Sequence, residues 1–169
     1  MNHKGMTLIE LLSALSIAAI LGLVAIPGLM TLVEKQRLRS SASTLFHTLS
    51  SARSTAVFRN IPITVWNQDG NWADGVEFFS DLNADAEKDT NEAVLYRQNE
   101  ANAVEISGNR WVATSITFHP DGSAQTASGA FQVGTITVCG AELELGYKLI
   151  LSIGGRIRLI KHASACKTP

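Results

Sequence analysis

KGMTLIELLSALSIAAILGLVAIPGLMTLVE, residues 4–34, decides how the rest of the chain is read. Between Glu10 and Glu34 lie 23 residues without a charge. At about 1.5 Å per residue, a helix over them spans roughly 34 Å, enough to cross a bilayer. Three features argue against a secretory signal peptide. The apolar run is too long for an h-region, no small-x-small cleavage site follows it, and the helical pattern continues past it. Glu10 stands inside this segment. A carboxylate there costs about 2.5–3.5 kcal/mol on the insertion scale and calls for a partner. On its own helix only Lys4 is near enough to offer a base.

Beyond Glu34 the helical spacing goes on. Leu38, Ala42, Leu45, Phe46, Leu49, Ala52 and Ala56 recur at three and four residues, one apolar face of an amphipathic helix. The helix is expected to stop near Asn60, before Pro62, and to kink or loosen at Pro27. The remainder reads as β. ITVW (63–66), GVEFF (75–79), AVLYR (93–97), WVATSITF (111–118), GTITV (134–138), YKLILSI (147–153) and RIRLI (156–160) are short and rich in β-branched and aromatic residues, with turn signals between them. The fold class is α+β, one long helix packed on antiparallel sheet.

Charge is segregated along the 169 residues. Residues 67–105 hold two Lys/Arg against ten Asp/Glu; from Gly146 onward there are five bases and no acid. The net charge of −1 hides an acidic middle and a basic tail.

The order Lys4-Gly5-Met6, then an apolar helix with Glu10 as its fifth residue, resembles the class III signal of type IV pilins and type II secretion pseudopilins. WADGVEFFSDLNADAEKDTNEAVLYR, ITFHPDG and LSIGGRIRL resemble the GspH/FimT family of minor pilins. The resemblance implies the type IV pilin fold. It implies a leader, residues 1–5, cut after Gly5 by prepilin peptidase with N-methylation of Met6, where the family usually has Phe. Residues 6–33 would be the membrane or filament-core helix, 34–60 its amphipathic continuation, and 61–169 the β-rich head. Glu10 would meet the terminal amine of a neighbouring pilin during filament assembly. The implied location is the bacterial inner membrane, single-pass with the head in the periplasm, and then the extracellular pilus. Lys35, Arg37 and Arg39 after the span would by charge alone favour the opposite orientation.

Cys139 and Cys166 are the chain's two cysteines. Outside the cytoplasm they are expected to pair, which would contribute about 3–4 kcal/mol in the chain-entropy model. DLNADAEKDTNE (81–92) places Asp81, Asn83, Asp85, Asp89 and Glu92 at calcium-loop spacing, but Ala86 stands where the sharp turn wants Gly. An acidic, solvated hairpin loop is the expectation, with no metal. There is no nucleophile elbow, zinc spacing or phosphate loop, and His3, His47, His119 and His162 are scattered. The chain reads as no enzyme and as needing no cofactor.

GGRIRLIKH (154–162) closes the β pattern. Gly154-Gly155 fits a two-residue hairpin turn, which would set Ile153 against Arg156, Leu151 against Arg158 and Lys148 against Lys161. Arg156 and Arg158 then share a face. FimT-type pilins of transformable bacteria carry a Gly-Arg-x-Arg implicated in DNA binding, matched here by Gly155-Arg156-Ile157-Arg158. Read from the residues, the hairpin is either a plain basic edge that stays soluble or a phosphate-contacting strip of Arg156, Arg158, Lys161, Lys148 and Lys167; the resemblance favours the strip, for double-stranded DNA. Phosphate contacts would dominate, with little sequence preference. The alternative is a GspH-type pseudopilin of a type II secretion system, or a purely structural minor pilin.

Overall fold

The structure is a computed structural model and describes residues 7–67, 70–98, 104–140 and 145–162. Thr7 and Glu10 open the first helix by capping one another. Glu10 Oε2 accepts from the Thr7 backbone N–H at 3.0 Å, and Thr7 Oγ1 accepts from the Glu10 N–H at 3.4 Å. Helix α1 (Leu8–Arg59) follows. It is bent between Leu23 and Gly28. Pro27 lies in that segment and cannot donate to the carbonyl four residues back. Among the described residues no straight stretch of helix is long and apolar enough to cross a membrane; the two limbs of the bent α1, Leu8–Leu23 and Gly28–Arg59, meet that length and composition only together. The helix ends at Arg59 because Asn60 turns left-handed (φ 56°), as a C-terminal cap does, with Pro62 close behind.

The chain divides into two compact units at Glu34/Lys35. In the first, the large apolar side chains of α1 are exposed, among them Leu8, Leu12, Leu15, Ile20 and Leu29. In the second, Leu38, Ala42, Leu45, Leu49, Ala52 and Ala56 are buried, so the expected stripe is the one that packs. Each large member contributes on the order of 2–3 kcal/mol by burial. The three alanines let strands come close to the helix.

The strands are β1 (Ile63–Trp66), β2 (Val76–Ser80), β3 (Val94–Gln98), β4 (Val104–Gly108), β5 (Ser115–Phe118), β6 (Ala124–Gln125), β7 (Gly134–Gly140), β8 (Gly146–Leu151) and β9 (Ile157–His162). They form two antiparallel sheets, β3-β2-β1-β5-β6 and β4-β7-β8-β9. Ile63, Val65, Phe78, Ile116 and Phe118 of the first sheet and Ile106, Ile136, Val138, Leu149 and Leu151 of the second join the helix stripe in one core.

Two strands escape the sequence reading. β4 offers only Val104 and Ile106 as apolar alternation, and β6 is two residues long. One expected strand is shortened. Trp111 and Val112 belong to a 3-10 turn (Arg110–Val112), and the strand begins at Ser115. Two carbonyls of this turn are taken by side chains rather than a neighbouring strand: Gln132 Nε2 donates to Trp111 O, and the buried Trp72 Nε1 to Val112 O.

Candidate functional site

The basic tail forms the hairpin β8–β9 at the edge of the second sheet. Its turn is not the two-residue one expected. Ser152 N donates to Arg156 O at 3.0 Å, so Ile153, Gly154 and Gly155 make a three-residue loop, with Gly155 left-handed (φ 69°). This is the loop that pairs a type I turn with a bulge glycine. The register therefore moves by one residue: Leu151 pairs with Ile157, Ile150 with Arg158, Leu149 with Leu159, Lys148 with Ile160 and Tyr147 with Lys161.

That shift sorts the side chains cleanly. Leu149, Leu151, Ile157 and Leu159 face the core, and Arg156, Arg158, Ile150 and Lys148 face out. Lys148 stands diagonal to Arg158, a separation long side chains can cover. Lys161 does not oppose Lys148; it takes the core-side parity beside Tyr147 at the strand's far end, where it is exposed. Arg156 and Arg158 are exposed and Lys148 is half-buried. Among the described residues none of these four bases is in an ion pair. Lys167 lies outside the described residues.

The turn is seated rather than free. A Cβ on Gly155 would stand 2.1 Å from Gly122 O in the loop between β5 and β6, whereas one on Gly154 would meet nothing within 4 Å. In that loop Asp121 Oδ1 accepts from both Ser123 Oγ and Ser123 N, and these bonds hold its carboxyl below the usual range.

The acidic stretch belongs to the other sheet, between β2 and β3. Asp85, Glu87 and Asp89 are exposed, as expected of a solvated loop, but Asp81 and Glu92 at its two ends are buried. Asp81 Oδ2 accepts from Thr64 Oγ1 at 2.6 Å and Ala86 N at 3.0 Å, and Oδ1 from Asp85 N at 3.2 Å. Glu92 accepts from Leu82 N and Asp89 N, each at 3.0 Å. Asn83 donates to Asp85 and Asp89. Ala84 and Ala86 take left-handed conformations (φ 57° and 65°), the bends that let the backbone fold around Asp81. Among the described residues no group of three or more His, Cys, Asp or Glu is arranged to hold a metal.

At the N-terminus, Glu10 has a local partner the sequence reading missed. Thr7 donates to Oε2 through both its backbone N–H and its hydroxyl, at 3.0 and 3.1 Å. The Thr-x-x-Glu spacing of a capping box was the available signal. Gly5 and Met6 lie outside the described residues. Cys139 is buried on β7, paired with Gly146 of β8, and its expected partner Cys166 also lies outside the described residues.

The family described as Type II transport protein GspH matches residues 41–155. The chain belongs to the GspH family. A prokaryotic N-terminal methylation motif matches residues 1–26, so the chain is of the pilin and pseudopilin class. No curated protein matches it significantly. Among solved structures, the type IV minor pilin FimU of Pseudomonas aeruginosa is similar at 22% identity and TM-score 0.64, over 79% of this chain and 98% of that one. The minor pseudopilin EpsH of the Vibrio cholerae type 2 secretion system is similar at 14% identity and TM-score 0.53, over 73% of this chain and 96% of that one. Both likenesses bear out the type IV pilin fold, a long N-terminal helix with antiparallel sheets.

Proposed function

We propose that this GspH-family chain is a minor type IV pilin whose β8–β9 hairpin binds extracellular double-stranded DNA for uptake in natural transformation. The observation that carries the reading is the outward face of the hairpin. Arg156, Arg158 and Lys148 gather there without an acidic partner among the described residues. Free cations on an exposed strand face suit phosphate oxygens, and nothing in the geometry favours one base over another. The chain performs no catalysis of its own and is a substrate of prepilin peptidase, cut after Gly5. Before assembly it sits in the inner membrane with the head in the periplasm; afterwards it joins other pilins through α1 and Glu10. Cys139 and Cys166 form a disulfide that ties the end of the chain to β7.

The family description and the fold of EpsH favour a second reading, a minor pseudopilin of a type II secretion system with protein partners only. The two separate on one measurement. The full chain in non-ionic detergent is titrated with random-sequence duplex at several salt concentrations, beside Arg156→Ala/Arg158→Ala. We expect weak binding that falls with salt. In the double variant the slope of log affinity on log salt should be shallower by roughly 2. No binding by the unsubstituted chain leaves the pseudopilin reading.

A further inference from the structure

Arg53 is a residue that no motif singles out. It lies on the head-forming part of α1, half-buried beside Ala52 and Ala56. Its Nε donates to Gly122 O at 2.8 Å and its Nη2 to Gly154 O at 3.2 Å. One guanidinium thus joins the helix to two turns far off in sequence, the β5–β6 loop and the β8–β9 loop. The two turns also touch one another, through the close approach of Gly155 to Gly122 O. Gly122 is left-handed (φ 80°), and a Cβ there would stand 2.9 Å from Arg53 Nη2, so the glycine leaves room for the fork. Arg53 has no acidic partner among the described residues; its hydrogen bonds go to carbonyls.

We propose that Arg53 is the positioning residue of the basic hairpin. It fixes the Ile153–Gly155 loop against the head, so that Arg156 and Arg158 are presented to an anion in one arrangement. The role rests on the DNA-binding reading above. Binding to a pre-ordered pair of side chains loses less freedom than binding to a loose loop. The planar fork reaches two carbonyls at once, which a lysine ammonium, as a point charge on a flexible stem, does not reproduce.

The test compares Arg53→Met and Arg53→Lys with the unsubstituted full chain in non-ionic detergent. Two quantities are read: duplex affinity against salt, and amide hydrogen exchange at residues 152–156 with β1 as internal control. In both variants we expect faster exchange at the turn with β1 unchanged. Affinity should drop by roughly three- to tenfold. The salt slope should stay as it was, because no phosphate contact has been removed. If lysine restores affinity, or the slope of Arg53→Met falls by about 1, Arg53 is itself a phosphate contact and the proposal is overturned. Unchanged exchange at the turn overturns it as well. Failure of the unsubstituted chain to bind DNA removes the binding role. Exchange then still reports whether Arg53 holds the loop, which keeps the two failures apart.

Discussion

Glu77 shows how one side chain in an apolar strand is accommodated. It stands in a row across three strands, opposite Trp66 of β1 and Arg97 of β3. Trp66 Nε1 donates to Oε1 at 2.9 Å, and Arg97 Nε and Nη2 donate to Oε2 at 2.9 and 2.7 Å. Lys88 Nζ lies 3.8 Å from Oε1. Burial pushes the carboxyl up, and the bonds from Trp66 and Arg97 with the nearby Lys88 charge outweigh it, leaving it below the ordinary 4.5. The unfolded chain therefore takes up this proton first as pH falls. The stability Glu77 contributes is present above its unfolded pKa and lost as pH drops through the folded one. Urea midpoints measured between about pH 7 and pH 3 should fall on the acid side, and Glu77→Gln should flatten that fall. An equally steep acid limb in the variant would assign it to other carboxylates. The sequence read GVEFF as a strand but offered no reason for the glutamate in it. The reason lies in registers that only the folded sheet supplies.

At the scale of the element, the two glycines of the β8–β9 turn look interchangeable in sequence and are not. Gly155 combines a left-handed φ with the approach to Gly122 O, and Gly154 has open space. Gly155→Ala should cost more than about 1–2 kcal/mol, since the backbone penalty and the clash add. Gly154→Ala should stay within about 0.5 kcal/mol. Thermal denaturation of both variants checks the pair; equal melting points would mean the turn is not seated on the β5–β6 loop. The hairpin and the shared face of Arg156 and Arg158 were legible, because Gly-Gly between β-rich runs and the period of two are local signals. Loop length was not, since Gly-Gly serves a two- or a three-residue loop equally well. The choice rests on a contact with residue 122. For the same reason local sequence sets Lys148 opposite Lys161; Trp111 stands in a β-like run, but its carbonyl is taken by Gln132 instead of a neighbouring strand.

At the scale of the molecule, the split of charge seen along the chain becomes a split between sheets. The acidic loop joins β2 to β3, and the basic hairpin lies on the sheet that does not contain them. From β2 to β6, the strand whose connecting loop meets the basic turn, is three strand spacings, on the order of 14 Å, against a Debye length of about 8 Å at physiological salt. Asp85→Asn/Asp89→Asn should therefore change duplex affinity by less than about twofold at that salt. A larger gain would mean that the acidic loop reaches the DNA. The long helix, the α+β class and the N-terminal signal were legible because each is written in consecutive residues. The fate of the acidic loop was not. Spacing alone could not show that Asp81 and Glu92 turn inward to accept backbone N–H groups.

Helix α1 also has a mechanical consequence. From Lys35 onward its buried stripe is the head's own core. A pull along this part of the helix loads the packing of Leu38, Leu45 and Leu49 against the sheets in shear. Extracting it would mean sliding the whole apolar stripe at once rather than peeling it residue by residue. A head built this way yields late under tension.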